Sequence, residues 1–496
     1  MKRNTFGLHL AALATLVTTL LVGPTAHVDA QAYRISFRSA QPLHGDVYYL
    51  ARPFRNNFIT VDSARLDPSG KEFTFSGKKL LPQGIFSLLD SRKKRLLDVV
   101  IDDSQRFTLN LDSTMRAAHI KVSGSKSNAD MQHYIAQLDE ARAESNRLKE
   151  AVKKANPTTK AQLQADMDRL NERMRQTEQK MFAQHRKQYF FKLTSRFSHE
   201  PQVNSPATLS DTEAKTWSHS QYLQHYWDSV DLSDHSLIYT PHLFEKANYY
   251  FFGAMFHDEA DTIIKYAFQL IDPLQTDSTM LRYFLDFVTL RYKRSTTMVG
   301  WDQVYVALAQ RYYLQGHCPW ATRAELMDHR RTVEHLSHSL IGAQGTELWM
   351  ADTNQSPDPA DWHSSHRQPY DYIILWFWDP DCNHCRQQTA ELQQLYDSLS
   401  AAGTRNFEVY AVGYTNDTDK WKRYVRQHQL PFVNVGGANV NVDYQVAYNV
   451  HGAPTMIILN KERRIIMNKP IAIGQLLEFL KRYETRIAQQ PPTGTR

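Results

Sequence analysis

Tyr372-Ile-Ile-Leu-Trp-Phe-Trp-Asp-Pro-Asp-Cys382-Asn-His-Cys385 is the stretch on which the reading of the chain turns. The seven residues from Tyr372 to Trp378 are all apolar or aromatic, too short a run for an average helix and right for a strand covered on both faces. Asp379-Pro380 ends it, and beyond Cys382 the residues Leu392, Leu395 and Leu399 recur at helical spacing. A Cys-x-x-Cys pair therefore opens a helix where a buried strand stops. Free N–H groups and the helix dipole favour a thiolate on Cys382, while Cys385, one turn in, is close enough to form a disulfide with it. Downstream, Val450-His451-Gly452-Ala453-Pro454-Thr455 sets a proline directly before another strand. A cis proline there would expose the preceding backbone to an extended substrate, which makes Ala453 and Pro454 candidate substrate-binding residues.

Working outward, residues 407–414 form a second buried strand, and Trp421, Tyr424 and Val425 mark a helix. Met456-Ile-Ile-Leu and Arg464-Ile-Ile-Met are predicted to pair as a hairpin, followed by a helix with Leu476, Leu480, Tyr483 and Ile487 on one side. Residues 340–489 thus read as a small α/β sheet with helices on both faces, and 490–496 as a loose tail. Residues 33–118 have a different period. Short alternating runs such as Tyr33-Arg-Ile-Ser-Phe and Phe107-Thr-Leu-Asn-Leu, separated by Asp67-Pro-Ser-Gly and Leu81-Pro-Gln-Gly, predict an antiparallel β-sandwich. Residues 119–339 read as one all-α domain. It includes two charged helices separated at Pro157 and a strongly aromatic stretch whose tyrosines and phenylalanines are expected to form core.

Composition sets the outer limits. With 496 residues, 42% hydrophobic, 22% charged and 11% aromatic, the chain is neither disordered nor collagen-like, and its length calls for two to four domains. The net charge of +6 is spread over interleaved signs, which argues against a nucleic-acid partner. The densest basic run, Arg92-Lys93-Lys94-Arg95, reads as a solvated hairpin turn. Three cysteines exclude a disulfide scaffold. At the start, Lys2-Arg3, an apolar run over 10–22 and the small residues Ala30-Gln31-Ala32 have the order of a secretory signal peptide, assigned to 1–32. An uncleaved anchor is the alternative. No cysteine stands at the cleavage region to carry a lipid, so the expected location is the periplasm or cell envelope.

At these residues the chain resembles the thioredoxin superfamily, in particular its exported TlpA-like branch. Phe377-Trp378-Asp379-Pro380-Asp381-Cys382-Asn383-His384-Cys385 is similar to the Phe-Trp-x-x-x-Cys-x-x-Cys signature, and Ala453-Pro454-Thr455 to the cis-proline loop. The resemblance covers about the last third of the chain, with β and helical domains preceding it as in multidomain envelope proteins. It implies a thiol:disulfide oxidoreductase acting on protein thiols and disulfides, supplied by a membrane or periplasmic electron donor, with antioxidant or cytochrome-maturation roles. By this resemblance Cys382 attacks and Cys385 resolves, without a metal or small-molecule cofactor. The chemistry of exchange assigns the same roles to an exposed low-pKa thiol and its neighbour.

Three departures bear on redox poise. Asp381 stands where the family has tryptophan, and its charge opposes a thiolate. Trp376 occupies the strand position of the family's buried aspartate. Asn383-His384 replaces Gly-Pro, and a protonated His384 would favour the thiolate by about 1.36 kcal/mol per pKa unit. Asp381, Asn383 and His384 are thus the candidate tuning residues, and the direction of electron flow stays open. A metal site of Cys382, His384, Cys385 and His451 is a rival, made awkward by His384 lying between the cysteines on one turn. The competing functional class is a non-enzymatic envelope scaffold carrying a redox-sensing or metal-binding redoxin module. Cys318 reads as a buried, inert thiol beside Trp320.

Overall fold

The computed structural model describes residues 31–112, 114–253, 260–293, 300–469 and 471–489, so residues 1–30 of the proposed signal segment and the expected loose tail of 490–496 lie outside the described residues. The chain divides into two compact units: the described residues up to Pro53 with Asn57–Lys192, and Phe54–Asn56 with Leu193–Arg496.

In the first unit, the alternating runs become β1 (Tyr33–Ser39), β2 (Val47–Phe54), β3 (Asn57–Arg65), β4 (Glu72–Gly77), β5 (Gly84–Leu89), β6 (Arg95–Ile101) and β7 (Arg106–Leu111), with a short β8 (Lys121–Ser123) added. They make two four-stranded sheets, β4-β1-β7-β8 and β3-β2-β5-β6. Between them lie Ile35, Phe37, Phe73, Phe75, Leu88 and Leu109, with the Tyr48 and Phe73 rings stacked at 4.0 Å. The expected sandwich is present with one departure: β1 and β7, far apart in sequence, pair in parallel. Lys93, in the basic hairpin turn, takes φ 64°.

The two charged helices, α1 (Lys126–Lys154) and α2 (Pro157–Gln184), pair through a seam in which Leu148, Leu170 and Met181 are buried. Ser125 caps α1, accepting a hydrogen bond from the Asn128 N–H, and Asn156 caps α2 ahead of its proline. Asn128 fastens the hairpin to the sandwich. Its fully buried amide accepts from the Val100 N–H (2.8 Å) and donates to the Val100 carbonyl (2.7 Å), and Gln132 donates to the Asp98 carbonyl (3.0 Å).

The second unit begins with helices α3 (Tyr189–Phe197, whose first residues belong to the first unit), α4 (Asp211–His225), α5 (Pro241–Phe252), α6 (Ala260–Ile271), α7 (Ser278–Lys293), α8 (Trp301–Leu308) and α9 (Arg323–Ser337). Their aromatic residues are core, as expected: Tyr250, Phe284, Tyr292, Tyr305 and Tyr312 are almost wholly buried.

The α/β part follows as β9 (Trp349–Asp352), β10 (His363–Ser364), β11 (Tyr372–Trp378), α10 (Asn383–Ala401), β12 (Phe407–Gly413), α11 (Thr418–His428), β13 (Val433–Val440), α12 (Tyr444–Ala447), β14 (Thr455–Leu459), β15 (Ile465–Met467) and α13 (Leu476–Gln489). The sheet order is β10-β9-β13-β12-β11-β14-β15, with β11, β12 and β13 parallel and β14 and β15 antiparallel. The apolar run serves both faces at once. Tyr372, Ile374, Trp376 and Trp378 pack with Leu392, Trp421 and Leu476, whereas Ile373, Leu375 and Phe377 pack with Tyr410, Tyr448 and Ile457. Gly413 leaves room for Trp421: a side-chain carbon there would lie 2.8 Å from the indole nitrogen. At the opposite end of β12, Glu408 is buried and held by Arg405 (3.1 Å) and the Tyr396 hydroxyl (3.0 Å). The Arg405 guanidinium lies 4.0 Å from the Tyr396 ring centre and 4.2 Å from that of Tyr370.

Candidate active site

The site forms where β11 runs out. Trp378 closes the buried strand, Asp379-Pro380-Asp381 turns the chain, and Cys382 is the N-cap of α10. Its sulfur accepts a hydrogen bond from the Cys385 N–H (3.2 Å), a donor left unpaired at a helix start and one that stabilises charge on sulfur. Cys382 is partly exposed and Cys385 is fully buried; both are free thiols. Burial, and next the hydrogen bond with Cys382, push the Cys385 thiol up to about 12. The pair is therefore asymmetric, with one sulfur reachable and one sheltered and protonated.

The Ala453–Pro454 bond is cis, and the Ala453 carbonyl lies 4.0 Å from the Cys382 sulfur. The two motifs, some seventy residues apart, meet at one sulfur. The proposed substrate-binding pair thus adjoins the proposed nucleophile.

The tuning candidates divide. Asp381 is exposed and forms an ion pair with Lys420 from α11, so its charge reaches Cys382 partly compensated. Asn383 is exposed and accepts from Arg386, which also donates to the Pro380 carbonyl (3.0 Å). His384 is exposed. Trp376, in the position of the family's aspartate, donates to the Thr389 hydroxyl (3.0 Å), so its indole N–H is satisfied without a carboxylate. Among the described residues no three His, Cys, Asp or Glu side chains form a metal-holding group, and His451 pairs instead with Asn449 (2.7 Å). Cys318 is buried, as expected, and burial raises its thiol to about 12.

Sequence reading missed Arg386 and Lys420. Arg386 carried a signal, four residues past Cys382 on the first turns of a helix, where its side chain reaches back over the turn. Lys420 carried none, because its partner lies 39 residues away.

Alkylation checks this asymmetry. At pH 8 the thiolate fraction of a thiol with a pKa of about 12 is roughly a thousand times smaller than that of an ordinary one. Iodoacetamide is expected to modify the reduced native chain at Cys382 alone and the denatured chain at all three cysteines, read by peptide mass spectrometry. Equal labelling of Cys385 in the native chain would contradict the described geometry.

Residues 370–465 match the sequence family described as Thioredoxin-like. The C-terminal α/β domain accordingly belongs to the thioredoxin superfamily, and fold and family together support a redox function. Residues 33–131 and 183–339 match two families described as domains of unknown function, DUF4369 and DUF5106. No curated protein matches the chain. Among solved structures, a thioredoxin-like protein from Bacteroides caccae ATCC 43185 is 15% identical, with 59% of this chain and 98% of that one covered and a TM-score of 0.43. A domain of a possible thiol-disulfide isomerase from Cytophaga hutchinsonii ATCC 33406 is 26% identical, covering 30% and 97%, with a TM-score of 0.27. StoA from Bacillus subtilis is 19% identical, covering 28% and 98%, with a TM-score of 0.23.

Proposed function

We propose that the chain is a thiol:disulfide oxidoreductase that exchanges the Cys382/Cys385 dithiol with protein disulfides in the cell envelope. One observation carries the reading: a partly exposed sulfur at a helix N-cap, beside a buried partner thiol and under the carbonyl before a cis proline. In the reductive direction the Cys382 thiolate attacks a substrate disulfide, forming a mixed disulfide and releasing one substrate thiolate, which takes up a proton. Cys385 then loses its proton and attacks Cys382, releasing the second thiolate and leaving a Cys382–Cys385 disulfide. Two electrons pass to the substrate, and a membrane or periplasmic dithiol donor restores the pair. Reduction or isomerisation of envelope disulfides, including those met in cytochrome maturation, fits the TlpA-like motif. Export rests on the signal-peptide pattern of residues 1–32, which has no lipidation cysteine.

The test is the midpoint potential of the pair, from the fraction oxidised across glutathione redox buffers. One two-electron couple is expected, near −270 mV for a reductant or near −120 mV for an oxidant, both about the range of known exchangers. A chain that forms no intramolecular disulfide at any poise would overturn the reading.

A further inference from the structure

The resolving step needs a base. Cys385 attacks as a thiolate, and a fully buried thiol pushed up to about 12 ionises unaided in roughly one chain in 10⁵ at pH 7. The buried neighbour Trp376 has an indole N–H that donates to Thr389 (3.0 Å) and takes up no proton. The other titratable groups around the pair are engaged or face solvent. On α10, His384 is exposed, and Arg386 donates to Asn383 and to the Pro380 carbonyl (3.0 Å). From α11, Lys420 pairs with Asp381, and Tyr424, whose ring meets that of Trp378 at 5.3 Å, is held as a neutral phenol by burial. In the cis-proline loop His451 pairs with Asn449 (2.7 Å). Asp379 remains, and it adjoins both cysteines. Its carbonyl accepts from the Cys382 N–H (3.1 Å), while its own N–H bonds the Cys385 sulfur and favours the thiolate there. The half-buried carboxylate accepts the Asp381 N–H (2.8 Å), which fixes it in the turn, and its charge reaches Cys385 and opposes the thiolate.

We infer that the Asp379 carboxylate accepts the Cys385 proton in the resolving step. The inference rests on the exchange reaction proposed above. As the Cys385 sulfur attacks the Cys382 sulfur of the mixed disulfide, its proton passes to Asp379, directly or across one water. The Cys382–Cys385 bond forms, the bond from Cys382 to the substrate sulfur breaks, and the substrate leaves as a thiolate. Asp379 then returns the proton to that thiolate or to solvent, which restores the carboxylate. The transfer also cancels the charge that opposes the thiolate at the moment the thiolate forms. Charge alone and proton transfer therefore predict opposite signs. If Asp379 acted by its charge alone, removing that charge would lower the Cys385 pKa and speed resolution; if it takes the proton, removing it slows resolution.

The experiment is stopped-flow reaction of the pre-reduced full chain with excess dithiobis(nitrobenzoate), an aromatic disulfide that releases one yellow thiolate on attack by Cys382 and a second on resolution by Cys385. Attack depends on reagent concentration and resolution does not, which separates the two rates. In Asp379→Asn, which keeps an acceptor for the Asp381 N–H, the ratio of resolution to attack is expected to fall about 10²-fold. The pH profile of resolution should change as well. The parent is expected to level off above the carboxylate range, whereas Asp379→Asn should climb about tenfold per unit between roughly pH 6 and 9, following the thiolate fraction. Asp379→Glu, which keeps a carboxylate, should recover part of the ratio and retain the plateau. An equal or higher ratio in Asp379→Asn, or a plateau that survives there, would overturn the assignment and leave the exchange reaction standing. Failure of the parent chain to release the second thiolate would refute the exchange reaction and this inference with it.

Discussion

Replacing Cys385 with serine is expected to turn a catalyst into a trap. Cys382 keeps its position at the N-cap and the N–H of residue 385 still faces its sulfur, because that hydrogen bond comes from the backbone. Attack on a substrate disulfide proceeds, but no second thiol is left to break the mixed disulfide. Turnover in insulin-disulfide reduction should fall by about 10³-fold or more, the scale of losing a covalent participant. At the same time, substrate polypeptides should accumulate on the chain as adducts that dithiothreitol releases and that run as a shifted band on non-reducing gels. Cys382→Ala should lose both turnover and adducts, since Cys385 is fully buried. Full reductase activity in Cys382→Ala, or no adduct in Cys385→Ser, would count against the proposed roles. Cys318→Ala should change neither, because that thiol is buried in the helical region and belongs to no part of the site.

The second large effect concerns stability. Arg405→Met removes the cation that holds Glu408, and the side chains of both residues are about nine-tenths buried at 12% and 8% exposure. Breaking one half of a buried pair costs about 3–5 kcal/mol, because the remaining charge has lost its partner but not its burial. The planar stacking against Tyr396 and Tyr370 is lost as well. For a domain of this size the melting temperature of the α/β domain should drop by roughly 10 °C, followed by circular dichroism. Adding Glu408→Gln should restore part of the loss by removing the stranded charge. Because β11 and β12 are parallel, Glu408 near the start of β12 lies at the end of the sheet away from Cys382, and the exchange rate of the folded variant should be unaltered. A melting temperature equal to that of the parent would show the pair to be neutral.

The thioredoxin-like domain was legible in the sequence because its signals are local. The run over Tyr372–Trp378 states its own burial, and Cys382 sits at the helix start that the residues around it predict. The β-sandwich was legible for the same reason, since period-two alternation survives in β1, β4 and β7. What escaped depends on partners remote in sequence. The parallel pairing of β1 with β7 leaves no trace in either strand. Residues 119–339 share a helical period, and that period alone cannot say that α1 bonds to β6 through Asn128 and Gln132.

The bonds of Asn128 and Gln132 have one more consequence. β6 is the outermost strand of its sheet, and an outermost strand offers unpaired backbone groups to any passing chain. Here Asn128 takes both the N–H and the carbonyl of Val100, and Gln132 takes the carbonyl of Asp98, two residues along on the same side. Two side chains of one helix turn do what another strand would do, and they do it intramolecularly. Along this stretch the sheet is sealed against growth by strand addition, a safeguard against aggregation written into the first two turns of α1.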